Sequence, residues 1–139
     1  ATLNSLPADV SVFSAAVGDY KLKKASSIKI KKQDRLNIEL EKNVDILNYV
    51  SNHNSLRPKL VVGFAAETNN LENYAIKKLN EKNCDWIIAN DVSDETIGFE
   101  SDENAVSIFY KKIKKEDIKK TTKAHLANQI VDRILNHLN

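Results

Sequence analysis

The stretch VSVFSAAV at Val10–Val17, which ends at Gly18-Asp19, is the first of three apolar runs that decide the fold. LVVGFAA at Leu60–Ala66 and DWIIAN at Asp85–Asn90 are the other two, and more polar segments separate them. Continuous apolar runs of this length are typical of buried parallel strands. Because such strands alternate here with helical patterns, the sequence predicts an α/β fold with a mostly parallel sheet flanked by helices.

Shorter patterns fill the intervals between these runs. Alternation in IKIKK and LNIEL predicts a β-hairpin with one wet face over residues 28–40, after a polar, irregular segment at 20–27. AVSIFY at 105–110 predicts a fourth strand, after a polar loop at 96–104.

Three helices are expected in the remaining segments. Asn43 is predicted to cap a short helix, and Asn69 with Glu72 resembles a capping box for a helix that ends near Lys82. A last helix over 121–138 should bury one apolar stripe, made of Ala127, Ile130, Val131, Ile134 and Leu138.

Composition excludes several classes of protein. The 139 residues suit one domain, and 21 basic against 19 acidic side chains give a formal charge of only +2, which provides no overall field for capturing nucleic acid. No run approaches the length of a membrane helix, and no secretion signal is visible. The chain begins with Ala1 and has no Met, so we expect a fragment of a longer protein.

Standard motifs for cofactors and nucleophiles are also missing. The three glycines are too far apart for a glycine-rich phosphate loop, and the three histidines fit no zinc spacing. Cys84, the single cysteine, excludes an intrachain disulfide and suits a reducing compartment such as the cytoplasm.

The ends of the three apolar runs are candidates for a ligand site. Ligands of open α/β sheets bind beyond the carboxyl ends of the strands. All three runs end in small residues next to an acid or an amide, in the segments AAVGD, GFAAET and ANDVS. Turn formation alone explains any one of these ends, but three together favour a site.

Lys78 and Lys82 interrupt the inward stripe of the helix that follows Glu67. Two like charges at i and i+4 destabilise a helix slightly, which is understandable if both ammonium groups face an anion. The alternative is that both stems cover apolar surface while the charges reach water. Lys29, Lys31 and Lys32 either protect an edge strand or form a basic flap over a phosphate.

Several segments resemble one known family, the bacterial phosphopantothenate–cysteine ligases (phosphopantothenoylcysteine synthetases). They are SAAVGDYKLK, KIKKQ, LNIELEKNVDIL, VVGFAAETNNLENYAIKKLNEKNCDWIIANDVS and GFESDENAVSIF, and the similarity extends from about Ala8 to Leu138. GFAAET and the pairing of AAVGDY with KIKK are the most specific of them.

The resemblance implies a Rossmann-like domain, a homodimer and an activity in coenzyme A biosynthesis. Members of that family join 4′-phosphopantothenate to cysteine with CTP and Mg²⁺, through an acyl-cytidylate. Residues 1–139 would then form a single truncated ligase domain, because the family's first βα unit, which helps to hold phosphopantothenate, has no counterpart here. The flavin-dependent decarboxylase domain has none either, so no FMN is expected.

The resemblance also assigns roles to individual residues. Lys29, Ala15 and Ala16 are expected at the reacting acyl phosphate, with Lys29 on the flap and Phe13 and Ser14 on the floor. The other nucleotide contacts implied are Asp19, Val44, Asp45, Ile46, Leu47, Phe64, Lys78 and Lys82. Val44 replaces the proline that is usual in the family's KNPDI segment, a change that should cost little at the start of a helix.

Two alternatives remain open at this point. One is a module that binds nucleotide, or assists assembly, without catalysis. The other is a small nucleic-acid-binding domain that uses KIKK and the lysines of 111–120, although the scarcity of aromatic residues argues against it. Neither a nucleic acid nor a membrane is therefore expected as a partner.

Overall fold

The computed structural model describes residues 2–24, 31, 36–91, 101–112 and 114–139. Seven strands are assigned there: β1 (Val10–Phe13), β2 (Tyr20–Leu22), β3 (Leu40–Lys42), β4 (Leu60–Glu67), β5 (Trp86–Asp91), β6 (Glu103–Tyr110) and β7 (Lys114–Thr122). The helices are α1 (Ile46–Ser51), α2 (Leu71–Lys82) and α3 (Lys123–Leu138), and a 3-10 turn covers Thr2–Ser5.

Five of the strands form one sheet in the order β1-β4-β5-β6-β7. β1, β4 and β5 pair in parallel, whereas β6 is antiparallel to both of its neighbours. Four of the five strands therefore run in the same direction, and the prediction of a mostly parallel α/β sheet flanked by helices is confirmed.

The sheet is covered by a helix on each face. Residues of β4, β5, β6 and β7 pack against α3 through Leu126, Ile130 and Ile134. The opposite face of β4, β5 and β6 packs against Ala75 and Leu79 of α2, with Leu47 of α1 at its margin. These two layers hold the central strands rigidly, and the carboxyl ends of those strands carry the candidate site.

An ion pair fixes the other end of the two central strands. The Asp85 carboxylate accepts from Arg57 at 3.0 Å and from the Val61 N–H at 2.8 Å, and Arg57 also donates to the Ser51 and Pro58 carbonyls. This network joins the end of α1 to the starts of β4 and β5.

Several predicted boundaries are wrong. The first strand ends at Phe13, so the small residues after it are irregular. Tyr20–Leu22 is a strand rather than an irregular segment, and it pairs with Leu40–Lys42. Residues 36–39 have no regular structure, and most of the rest of the predicted hairpin lies outside the described residues. β7 was not predicted.

Helix starts and the buried stripe also differ from expectation. Asp45, not Asn43, caps α1, and its carboxylate accepts from the Asn48 N–H at 2.9 Å. α2 begins after Asn70, which has a left-handed backbone and makes no side-chain cap, so the capping box is absent. In α3 the register of burial is shifted, because Leu126 is buried while Val131 is half exposed.

Candidate functional site

A cleft of about 1050 Å³ lies at the carboxyl ends of β1, β4 and β5. It brings together all of the predicted site residues that the structure describes: Phe13, Ser14, Ala15, Ala16, Asp19, Val44, Asp45, Ile46, Leu47, Phe64, Lys78 and Lys82. Lys29, the remaining predicted residue, lies outside the described residues. The cleft forms here because parallel strands place their carboxyl ends at one edge, where side chains from separate segments converge.

The two stripe-breaking lysines both point into this cleft. Lys78 Nζ donates to the Phe64 carbonyl at 3.1 Å, and Lys82 forms an ion pair with Asp45. Neither ammonium group therefore extends freely from the helix into solvent, as snorkelling would require. Two cations on adjacent turns of α2 lie over the rim of the sheet.

Asp45 connects α1 to α2 within the cleft. One of its oxygens caps α1 and the other binds Lys82. Burial acts to raise the pKa of this carboxyl, but the Asn48 N–H, the bond to Lys82 and the charge of Lys78 together hold its pKa below the usual value. The Asp45 carboxylate is therefore the ionised form over the neutral pH range.

Lys82 is correspondingly held in its charged form. Its hydrogen bond to Asp45 raises its pKa, against the opposing effect of burial, and the negative charges of Glu81 and Asp19 contribute in the same direction. Asp19 also lines this cleft.

Asn43 connects two segments that line the cleft. Its side-chain amide donates to the Gly18 carbonyl at 3.1 Å, and its Oδ1 accepts from the Val44 N–H at 2.9 Å. The Asn43 N–H donates in turn to the Asp19 carbonyl at 2.8 Å. Asn43 thus holds the segment after β1 against the start of α1, a role other than the predicted helix cap.

Close packing of α1 against the sheet depends on Gly63. A Cβ at this position would lie 2.6 Å from Leu47 Cδ2 and 2.9 Å from Ile87 Cδ1. Glycine at this point of β4 therefore allows Leu47, and with it the start of α1, to approach the strand.

Three other cleft residues were not assigned a role from the sequence, although ANDVS, which contains Asn90, is one of the three candidate strand ends. Asn104 and Lys123 line it from β6 and α3, and Asn90 lines it from the end of β5. The position of Lys123 in the first turn of the last helix could have indicated a functional residue, because a positive charge is unfavourable next to the positive end of the helix dipole. Among the described residues, no group of three or more metal-binding side chains occurs.

Comparison with known proteins identifies the family. Residues 1–138 match the family described as "DNA/pantothenate metabolism flavoprotein C-terminal domain". The chain belongs to this family. Its α/β architecture and the resemblance noted from GFAAET and KIKK agree with that membership.

The curated relatives that this chain matches are longer proteins. "Coenzyme A biosynthesis bifunctional protein CoaBC" of Haemophilus influenzae is 45% identical over 123 residues, which are 86% of this chain and 30% of that protein. The protein of the same name from Escherichia coli K12 is 51% identical over 100 residues, 69% of this chain and 24% of the relative. The chain thus spans less than a third of the length of these curated relatives.

Solved structures support the same assignment. The crystal structure of the C-terminal domain of CoaBC superposes with a TM-score of 0.71 at 35% identity, covering 94% of this chain and 55% of that one. The DNA/pantothenate metabolism flavoprotein from Streptococcus pneumoniae superposes with a TM-score of 0.64 at 20% identity, over 94% of this chain and 62% of that one, and shows the fold alone.

Among the described residues, no helix combines the length and apolar character needed to cross a bilayer.

Proposed function

We propose that this chain carries the nucleotide-binding part of a ligase that joins 4′-phosphopantothenate to cysteine with CTP, in coenzyme A biosynthesis. The relatives that bear this biosynthetic name support the pathway, and the family resemblance of GFAAET and KIKK supports the particular step. A cytoplasmic location belongs to the same proposal, since nucleotide-dependent biosynthesis and the free thiol of Cys84 both suit that compartment.

One observation carries the proposal: Lys78, Lys82, Asp19 and Phe64 line a single cleft at the strand ends. A nucleoside triphosphate carries several negative charges close together, and paired ammonium groups are suited to neutralise them. The half-buried ring of Phe64, which packs against the core on the α3 face, offers an aromatic surface near which the base can lie.

The chemistry requires no nucleophilic side chain. An oxygen of the 4′-phosphopantothenate carboxylate attacks the α-phosphorus of CTP, the bond to the bridging oxygen of the β-phosphate breaks, and pyrophosphate leaves. The cysteine amine then attacks the acyl carbon, the C–O bond to the phosphate breaks with departure of CMP, and the amine releases its proton to solvent. Catalysis of this kind consists mainly of positioning and of charge stabilisation by lysines.

The reacting centre is assigned to Ala15 and Ala16, and the predicted flap residue Lys29 is assigned to the developing phosphate charge. Both alanines follow the end of β1 and line the cleft. Their small side chains let the acyl phosphate approach the backbone closely, which bulkier residues would prevent.

The cleft also suits the Mg²⁺ that accompanies a nucleotide. Mg²⁺ is usually bound by one or two carboxylates together with substrate phosphates, rather than by a cage of protein ligands. Asp19, Asp45, Glu67 and Glu81 are the described carboxylates that line the cleft, and Asp19 and Asp45 are the two that belong to the proposed nucleotide site. The ion would neutralise phosphate charge during nucleotidyl transfer.

A homodimer is the assembly that we propose. β2 and β3 form an isolated two-stranded ribbon, and such ribbons are marginally stable alone. One face carries the ion pairs Lys21–Glu41 and Lys23–Glu39, while the other exposes Tyr20, Leu22 and Leu40 at 60%, 52% and 57%. A second copy that covers this apolar face would stabilise the ribbon.

The proposal is tested by nucleotide binding to this chain. With Mg²⁺ present, CTP should raise the melting temperature more than ATP does, and Lys78→Gln should weaken CTP binding about tenfold to a hundredfold, since a charge-assisted hydrogen bond contributes about 1.5–3 kcal/mol. Lys119→Gln, which removes the same charge from β7 outside the cleft, is the matched control. Absence of any CTP effect in the unmodified chain would refute the proposal.

A second measurement separates ligase from simple binding module. Release of pyrophosphate is followed after addition of CTP, 4′-phosphopantothenate and cysteine. Turnover that Lys29→Gln lowers supports the catalytic assignment. Binding of CTP without turnover agrees with a ligase part that lacks the phosphopantothenate unit and with the alternative of a non-catalytic module, whereas turnover by this chain would contradict the expectation of a truncated domain.

A further inference from the structure

The cleft contains three polar residues without an assigned role in the proposed nucleotide site, on the face of the sheet that also carries the Phe64 ring. Asn90, Asn104 and Lys123 line the cleft from β5, β6 and α3, and we call these three residues the amide corner. The lysines of α2 lie on the opposite face of the sheet, because α2 and α3 pack on different sides. The amide corner is therefore separate from the cations expected to bind phosphates.

Strand alternation places both asparagines on the α3 face. Asn90 continues the inward series of Trp86 and Ile88 on β5, and Asn104 precedes Val106 and Ile108 on β6. Where the apolar residues of that face end, two carboxamides take their place, in the cleft that Lys123 of α3 also lines. Polar side chains at that level of the sheet face the cleft.

Hydrogen bonding orients Asn104 as a donor. Its Oδ1 accepts from the N–H of Ala105 at 2.9 Å, so its amide nitrogen is the end that can donate to a ligand. A side chain held in this way presents N–H groups to the cleft, which favours an acceptor ligand such as an anion.

Lys123 is a cation in an unfavourable place. It occupies the first turn of α3, where the helix dipole disfavours positive charge. The N–H of Lys123 already donates to the Asp102 carbonyl, and the Thr122 hydroxyl accepts from the His125 N–H, so the helix end is capped without the lysine side chain. A bound anion at the amide corner would offset the cost of that charge.

We propose that the amide corner binds the carboxylate of the amino acid that supplies the attacking amine. This inference rests on the proposed function. In an α-amino acid the carboxylate is two bonds from the amine, so its anchor must lie close to the reacting centre. Asn90 is two strands away from the end of β1, about 10 Å at the spacing of neighbouring strands, and its side chain and the amino acid together span that distance.

The corner fits a carboxylate better than a phosphate. It offers one ammonium group and planar amide donors, which match a planar group of single negative charge. A phosphate dianion is usually held by more than one cation or by a nest of backbone N–H groups. Of the described cleft residues on this side of the sheet, Lys123 is the one cation.

The test compares two amines that differ in the carboxylate. L-cysteine and cysteamine are titrated separately into the chain with CTP and Mg²⁺ present under reducing conditions, and binding is followed through the side-chain amide NMR signals of Asn90 and Asn104. L-cysteine should bind at least about tenfold more tightly than cysteamine, as expected for a charge-assisted contact. Equal affinities would overturn the inference.

Substitutions in the amide corner test whether the preference for L-cysteine over cysteamine arises from these residues. Lys123→Gln, and Asn104→Asp, which keeps an oxygen for the Ala105 N–H, should each remove the preference for L-cysteine and leave cysteamine and CTP affinities unchanged. Lys119→Gln on β7 should keep the preference. A preserved preference in both corner variants would overturn the inference, as would loss of CTP binding on Lys123→Gln with unchanged L-cysteine binding.

Two further outcomes separate this inference from the proposed function. Displacement of L-cysteine by inorganic phosphate or by 4′-phosphopantothenate, with perturbation of the same amide signals, would show a phosphate site and overturn the inference. A carboxylate preference that Lys123→Gln abolishes, in a chain that CTP does not affect, would support the corner and contradict the nucleotide proposal.

Discussion

Substitution of Gly63 by alanine should destabilise the domain and disturb the start of α1. The added Cβ would lie 2.6 Å from Leu47 Cδ2 and 2.9 Å from Ile87 Cδ1, so the two methyl groups must retreat by about 1 Å to reach normal carbon contact distances. Ile87 is fully buried in β5 and has little room, whereas Leu47 is half-buried and can move with its short helix.

The magnitude follows from two opposing effects. Overpacking of a core typically costs about 1–3 kcal/mol, and replacing a strand glycine regains about 0.5–1 kcal/mol. The net loss should be about 1–2 kcal/mol, which corresponds to a melting temperature lower by about 3–8 °C for a domain of this size. CTP affinity should fall as well, because displacement of α1 moves the Val44–Leu47 segment, which lines the cleft.

Thermal unfolding and CTP titration of the Gly63→Ala chain test this reasoning. Gly18→Ala is a control of opposite sign, since its Cβ would meet the Tyr20 carbonyl at an ordinary 3.5 Å and loss of a loop glycine stabilises by about 0.4–1 kcal/mol. Leu47→Ala combined with Gly63→Ala should show a coupling above about 0.5 kcal/mol. An unchanged melting temperature, or simple additivity of the two substitutions, would show that Leu47 does not pack on Gly63 as described.

Three further outcomes are expected. Asp45→Asn should reduce the free energy of unfolding at neutral pH. Because the pKa of Asp45 is lowered from its usual 3.8, the stabilisation by its carboxylate is present above that pH and is lost on acidification. The difference in urea unfolding between the two chains should therefore shrink as the pH falls below about 4. Leu126→Ala should cost about 2–5 kcal/mol in the same assay, and Val131→Ala, on the exposed side of α3, less than about 0.5 kcal/mol. Leu22→Lys should lower the molar mass measured by light scattering towards that of a monomer, and the melting temperature of this monomer should stay close to that of the parent chain. An unaltered molar mass would exclude the ribbon as the interface.

Long apolar runs made the parallel part of the sheet predictable. β4 and β5 are buried on both faces, so their sequences contain almost no polar residues until the strand ends. The same property predicted that the residues of the candidate site lie together, because the polar residues that follow such strands converge at one edge of the sheet. Prediction succeeded where burial is complete and dictates the residue type.

Prediction failed where burial is partial. β7 is an edge strand in which Ile118 alone is fully buried, and its lysines and acids obscure the period of two that marks a strand. Glu116 fits that strand through contacts remote in sequence, since it accepts from Tyr110 at 2.9 Å and pairs with Arg133 of α3. The local sequence around Glu116 does not predict these contacts, because only folding brings Tyr110 and Arg133 close to it.

Lys78 and Lys82 break the apolar stripe of α2, and the structure places both in the candidate cleft. Two like charges at adjacent turns oppose helix formation, and the fold offsets that cost by giving one ammonium group a backbone carbonyl and the other a carboxylate. Both partners are groups that a phosphate can replace without leaving a charge buried alone, since Asp45 keeps its cap on α1. Nucleotide binding would then exchange one set of acceptors for another around lysines that are already in place, which limits the conformational entropy lost on binding.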